Sequence, residues 1–341
     1  MLRLVPLLAC CALMNGCYYL QAAQGQWELT RKREPIDEVL AQPDTPPELA
    51  ARLRLVQEAR QFAIDELGLP DNDTYRTYAD LERDYVVWNV FAAPEFSLEP
   101  KTWCFPVAGC VGYRGYFSRQ AADREAARLA EDGFDVAVGG VAAYSTLGRF
   151  KDPVLNTMVN WDDARLVAVL FHELAHQVVY VKDDTAFNES FASAVEEFGL
   201  RRWLESRNAG DEMASFRDRR RLSEEIMLLV NDARSDLEVL YTSQRPVDEK
   251  RRLKKQRLSL LAEHVAARLS EEGGGTNHWL GEEINNARLV PMALYEGHLP
   301  AFQALLASCN DDLGCFYAAT RRIADLPRDE RDTRLEALVT P

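Results

Sequence analysis

His172-Glu173-Leu174-Ala175-His176 is the stretch of this 341-residue chain whose residue types and spacing could do chemistry. Positions four apart lie one helical turn above each other, so both imidazoles can point at one ion while Glu173 lies beside the open coordination position. Neutral imidazole is a good zinc ligand. A carboxylate so placed can take a proton from a water held at that position and return it to a leaving amine. Catalytic zinc commonly has three protein ligands, and Glu189, separated from His176 by twelve residues, is the candidate third. Glu196 follows two turns later on nearly the same face, placed to accept the free N–H of a ligand imidazole.

For these side chains to meet, two helices must carry them. Asp162 or Asp163 opens the first, and the apolar run Leu166–Phe171 leads straight into His172, so the pattern predicts a helix over 162–181. A second helix over 186–206 then turns back across it through Lys182-Asp183-Asp184. Upstream, apolar spacing predicts a helix from Pro47 to Leu67. Strands are expected at Tyr85–Val90 and Val111–Phe117, a helix over Arg119–Glu131, and a strand over Val136–Ser145. Further helices are expected over 211–242, 246–271, 281–294, 298–308 and 311–324. The fold class is α+β: a small mixed sheet (46–161, an α/β part) packed on a helical part (162–341), with the zinc site in the cleft between them. The basic runs Arg217–Arg221 and Lys250–Lys255 read as solvated helix faces.

Lys plus Arg total 40 against 54 Asp plus Glu, a net charge of −14 that excludes a general nucleic-acid binder. With 47% hydrophobic and 28% charged residues, the chain has the composition of a domain that folds in water. Its first 16 residues have the charged and apolar segments of an export signal, and Gly16-Cys17 resembles a lipobox, which makes Cys17 an acylation candidate and 17–45 a lipid-anchored tether. Membrane contact is therefore expected through the anchor alone. Of the remaining cysteines, Cys104 with Cys110 and Cys309 with Cys315 are the simplest of three disulfide connectivities in an oxidising envelope, four buried thiols being the other reading.

His-Glu-Leu-Ala-His-Gln at 172–177, followed by Asn188-Glu189-Ser190-Phe191-Ala192, resembles the zinc site of the aminopeptidase N superfamily of gluzincins. From Tyr18 to about Leu306 the chain also resembles a bacterial lipoprotein family of predicted zinc aminopeptidases. That wider likeness is carried by Trp103-Cys104-Phe105-Pro106, Tyr113-Arg114-Gly115-Tyr116-Phe117, Ala143-Tyr144-Ser145-Thr146-Leu147-Gly148 and Asp152-Pro153. The resemblance implies a zincin-like peptidase binding one Zn2+ per chain through His172, His176 and Glu189, with Glu173 as general base and a peptide as substrate. It also implies a cell-envelope location facing the periplasm, and Tyr18 after Cys17 favours the outer membrane. One departure bears on exopeptidase action: the Gly-x-Met-Glu-Asn segment that holds the substrate amine in aminopeptidase N relatives is absent upstream of His172.

The remaining roles have less distinctive candidates. Gly140 and Tyr144, in Gly139–Tyr144, lie where a strand could pair with extended substrate backbone. An oxyanion needs a hydrogen-bond donor, and Tyr295 is the first candidate, with Tyr144 next. Arg288 could hold a substrate carboxylate. The alternative to an enzyme is a metal-stabilised scaffold or chaperone in an envelope assembly, which four protein ligands on the ion would favour.

Overall fold

The computed structural model describes residues 5–105, 109–143, 145–146, 150–271, 284–295 and 298–339, with backbone alone for 5–17 and 292–295. The chain opens with α1 (Val5–Arg31), β1 (Arg33–Pro35), α2 (Ile36–Ala41) and α3 (Pro47–Asp65). Then come β2 (Thr77–Ala79), β3 (Val87–Pro94), β4 (Trp103–Phe105), β5 (Gly109–Val111), β6 (Arg114–Tyr116), α4 (Arg119–Glu131), β7 (Phe134–Val141), β8 (Val154–Leu155) and the short α5 (Asn156–Val159). The rest is helical: α6 (Asp163–Ala175), α7 (Thr185–Ser206), α8 (Gly210–Thr242), α9 (Val247–Glu271), α10 (Asn286–Tyr295), α11 (Leu299–Ser308), α12 (Leu313–Ala324) and α13 (Arg328–Val339). The protein is mixed α+β, mostly helical with small sheets.

Among the described residues, three sheets replace the single mixed sheet expected. Strands β6-β3-β7 form an antiparallel sheet, β1-β2-β8 a mixed one, and β4-β5 a hairpin. The run Val111–Phe117, expected as one strand, is divided at Gly112-Tyr113, so its first end pairs with β4 and its second with β3. Strand β3 is apolar on both faces because both are covered. Val90 and Ala92 pack with Ala122 and Leu129 of α4, and Phe91 and Ala93 with Ala287 and Val290 of α10.

The stretch expected as a tether is folded onto the rest from Tyr18 onward. Leu29, Ile36 and Val39 are buried, Gln21 accepts the Phe117 N–H, and the Arg114 guanidinium lies over the Tyr18 ring. Prolines and polar residues dominate the composition there, and Leu29, Ile36 and Val39 point inward while Tyr19, Leu20 and Trp27 stay exposed. Cys17 lies outside the described side chains. Among the described residues no helix is long and apolar enough to cross a membrane.

Lys254 departs from the solvated face expected of its run. It is buried, and its ammonium donates to the Asp135 carboxylate at 2.6 Å and the Glu95 carbonyl at 2.8 Å. Asn286 completes this network: its N–H donates to Asp135, its amide to the carbonyls of Pro94, Glu95 and Ser97, and its oxygen accepts the Tyr241 hydroxyl. Satisfying every buried polar group in this way anchors α10 to the sheet. The largest core lies elsewhere, where α3, α6, α7, α11 and α12 bury Leu53, Phe171, Phe191, Phe302 and Phe316.

Candidate metal centre

Helix α6 is capped by Asp162, whose carboxylate accepts the Arg165 N–H at 3.0 Å. Its residues Leu166, Val167, Leu170, Phe171 and Leu174 are all buried, which fixes the rotation of the helix and hence the direction of His172 and His176. The helix stops at the second histidine instead of running to 181. His176 is the C-cap, and the chain then turns. Asn188 closes the loop by accepting the Val181 N–H and donating to the Val181 carbonyl, both at 2.7 Å. Asp184 caps α7 through the Phe187 N–H. With both helix ends pinned by side chains, the first turns of α7 bring Glu189 opposite the two histidines.

The three donors converge. His172 Nε2 is 3.2 Å from Glu189 Oε2, His176 Nε2 is 3.7 Å from it, and one ligand atom from each residue lies within 4.8 Å of the others. Ligand atoms on a tetrahedral ion at ~2.0–2.1 Å stand about 3.3 Å apart, so these spacings fit a zinc-sized cation. His172 Nδ1 is 2.9 Å from Glu196 Oε2, an arrangement that puts the proton on Nδ1 and leaves Nε2 facing the centre. His176 Nδ1 is buried with no partner among the described residues.

Electrostatics follow from burial and from the carboxylates. Burial, aided by the His172 charge, holds His176 down at about 4, so its imidazole is neutral. Burial opposes ionisation of Glu189, but the hydrogen bond from His172, with His176 and the His172 charge adding to it, outweighs burial and keeps the carboxyl below its ordinary range. Burial likewise opposes protonation of His172, yet Glu189 and Glu196 hold it well above the ordinary imidazole value. Burial pushes Glu173 up to about 7; His172 and the nearby Ser145 side chain pull it down, while Glu189 and Asp152 add to the rise. Two imidazoles and a carboxylate are a donor set suited to zinc.

The other candidates lie on other segments of the chain. Gly140 lies on β7 opposite Trp88 of β3, and a Cβ there would strike the Tyr85 ring at 2.5 Å, so close aromatic packing accounts for the glycine. Strand β7 forms the edge of its sheet among the described strands. Arg288 is half-buried on α10, and burial lowers its proton affinity. Tyr144 lies outside the described residues, as does the side chain of Tyr295. Both disulfides have the local pairing expected. Cys104–Cys110 crosses the β4-β5 hairpin, and Cys309–Cys315 closes the turn between α11 and α12. The first also touches the centre's surroundings, since the Cys110 N–H donates to Asp183 in the α6–α7 loop at 2.5 Å.

Two groups near the site escaped the sequence reading. Tyr75 is fully buried with φ +59°, and its hydroxyl lies within electrostatic reach of Glu173 and Asp152. Arg331 of α13 pairs with the α7 cap Asp184 across 147 positions of chain. The left-handed backbone at Tyr75 leaves no mark in composition or periodicity, and the Arg331 pair spans too much sequence for any local pattern to show it.

The fold and site together define a mixed α+β protein whose two central helices present a His-His-Glu cluster able to hold a metal ion. The family model described as "Putative aminopeptidase" matches residues 17–335, and the chain belongs to that family. Neither a curated protein nor a solved structure matches it. Membership points to peptidase activity on a peptide substrate.

Proposed function

We propose that the chain is a zinc-dependent peptidase of the bacterial cell envelope, an aminopeptidase by family, with His172, His176 and Glu189 as ligands of one Zn2+ and Glu173 as general base. The observation that carries this reading is the convergence of those three donors on adjacent helices, with Glu173 the residue next to His172. A zinc ion bound there would supply a Lewis acid for the scissile carbonyl and would acidify a water. Glu173 takes that water's proton on its carboxylate and passes it to the nitrogen of the departing amine. Glu196 holds the Nδ1–H of His172 and so fixes the tautomer that leaves Nε2 free to ligate. Three converging donors among the described residues, and not four, favour an enzyme with an open position over a scaffold.

Tyr295 or Tyr144 serves as oxyanion donor in this reading, Gly140 lies on the strand that meets substrate backbone, and Arg288 holds a substrate carboxylate. Acylation at Cys17 anchors the protein with its domain facing the periplasm, at the outer membrane in preference to the inner. The export-signal pattern supports that location, as do two disulfides, which persist in oxidising compartments.

Elemental analysis of the purified mature protein, wild type and Glu189→Ala in parallel, tests the ligand set. Near one zinc per wild-type chain, falling sharply in the variant, is expected. Glu173→Gln should then keep its zinc and lose cleavage of a pooled peptide library. Undiminished cleavage removes Glu173 from its role, and a zinc-free wild type brings the scaffold reading forward.

A further inference from the structure

Helix α1 carries apolar side chains on two opposite faces, and only one of them meets the rest of the protein. The inner face is fixed in place. Leu29 is buried, a Cβ on Gly25 would overlap the Phe117 ring, Gln21 accepts the Phe117 N–H at 3.1 Å, and Glu28 pairs with the Arg83 guanidinium at 2.9 Å. Successive helical residues are rotated by about 100°, so the opposite face is made by Tyr19, Leu20, Ala23, Gln24, Trp27 and Arg31, all of them exposed. Trp27 is 69% exposed, more than any other aromatic side chain among the described residues, with Leu20 at 59% and Tyr19 at 47%.

Single exposed apolar residues are ordinary on a protein surface. Here Leu20, Ala23 and Trp27 follow one another at intervals of three and four, which makes a continuous stripe. No acid stands on that face, although the chain carries 54 acidic residues, and its one charge is the Arg31 cation. Tyr and Trp beside aliphatic side chains, with a cation at the far end, are the make-up of a helix face that lies in the interfacial layer of a bilayer. Anionic headgroups complement the charge.

The path of the chain brings lipid to this face. A flexible tether after an acylated Cys17 would let the domain drift away from the membrane. Instead α1 runs unbroken through position 17, and from Tyr18 onward it is docked on the body of the protein. At ~1.5 Å of rise per residue, Leu20 stands about 4.5 Å along the helix from Cys17 and Trp27 about 15 Å. Acyl chains inserted from Cys17 therefore hold the stripe at headgroup depth when the helix axis lies along the surface. An upright helix would lift Trp27 back into water.

We infer that the outer face of α1 is a phospholipid-contact surface, with Leu20, Ala23 and Trp27 seated in the bilayer interface and the helix axis in the membrane plane. The inference rests on the envelope-anchor reading of Cys17 for what delivers the face to the membrane. The protein then touches the bilayer with a helix as well as with its lipid.

The test uses the full chain, purified in detergent and reconstituted on vesicles of phosphatidylethanolamine and phosphatidylglycerol. Bromine on the acyl chains close to the headgroup quenches indole emission on contact, and subtracting the spectrum of Trp27→Phe isolates the signal of Trp27. That difference emission should fall about twofold when brominated lipid replaces the ordinary lipid, and should be protected from aqueous iodide. Emission indifferent to bromine and open to iodide places the face in water and overturns the inference. Protection from iodide without quenching by bromine, together with a cross-linked dimer, assigns the face to a second copy of the chain and overturns it equally. Mass spectrometry of the same preparation decides the anchor separately. An unacylated Cys17 with Trp27 quenched defeats the anchor reading alone, and an acylated Cys17 with Trp27 unquenched defeats this inference alone.

Discussion

Asp184 and Arg331 form an ion pair sealed inside the protein, with Nη2 and Nε of the arginine 2.6 and 2.9 Å from one carboxylate oxygen and both side chains almost without solvent exposure. Asp184 also caps α7, so the C-terminal helix α13 grips the end of the helix that carries Glu189. The remaining guanidinium nitrogen donates to the Leu326 carbonyl at 2.8 Å.

Breaking that pair should do more than remove a contact. Arg331→Ala leaves Asp184 charged and buried, a loss of roughly 3–5 kcal/mol. Because the freed aspartate sits one turn before Glu189, zinc retention should weaken along with stability. Chemical denaturation and metal content on the same preparation check this. A variant as stable as wild type would show that the pair contributes nothing net.

Glu196 offers a gentler perturbation of the same centre. Its carboxylate holds His172 Nδ1 at 2.9 Å and is partly exposed, so the fold does not depend on it. Glu196→Ala should leave the unfolding midpoint nearly unchanged while weakening zinc affinity about 10–100-fold, the usual effect of losing such a partner. Competition with a chromophoric chelator measures this directly. Equal affinity in the two proteins would mean that backbone and packing alone orient His172.

Metal removal should not unfold the chain. Helices α6 and α7 are held by their own apolar faces, and without an ion His172 is still engaged by Glu189 and Glu196. The cost of stripping zinc is then only the binding linkage, about 2.7 kcal/mol at a free concentration one hundred times Kd. A chelator-treated sample should keep its helical circular dichroism and melt a few degrees lower. Collapse of the helical signal on chelation would instead favour a metal-stabilised scaffold.

The cluster was legible because its chemistry is local. His172, Glu173 and His176 share one helix, and Asn188-Glu189 follows within a loop's length, so periodicity alone brings them near each other. The disulfides were legible for the same reason, each closing a short loop. What stayed hidden is non-local or conformational. The split of Val111–Phe117 between two sheets depends on which partners β5 and β6 find, and α13, which lies beyond the last helix expected, docks through the buried Arg331 and Leu335. The docking of 18–45 was obscured by prolines that cap and terminate short elements there. Asp152 stands in a recognisable segment, but the two hydrogen bonds that its carboxylate accepts from Thr146 appear only in the structure.

Tyr75 gives the sharpest contrast between packing and chemistry. Its ring is fully buried, and its hydroxyl is buried with no hydrogen-bond partner among the described residues. Burial first, and then the charges of Glu173 and Asp152, push the phenol well above its ordinary value, so it stays a neutral donor throughout the working range. A desolvated, unpaired hydroxyl costs roughly 1–3 kcal/mol, whereas the ring's packing is worth keeping. Tyr75→Phe retains the packing and the left-handed backbone and removes only the oxygen, so stability should be unchanged or rise by up to about 1 kcal/mol. Zinc content should stay the same. Urea denaturation of the two proteins side by side decides the matter: a loss of 1 kcal/mol or more would mean that the hydroxyl is engaged with the acids beside it.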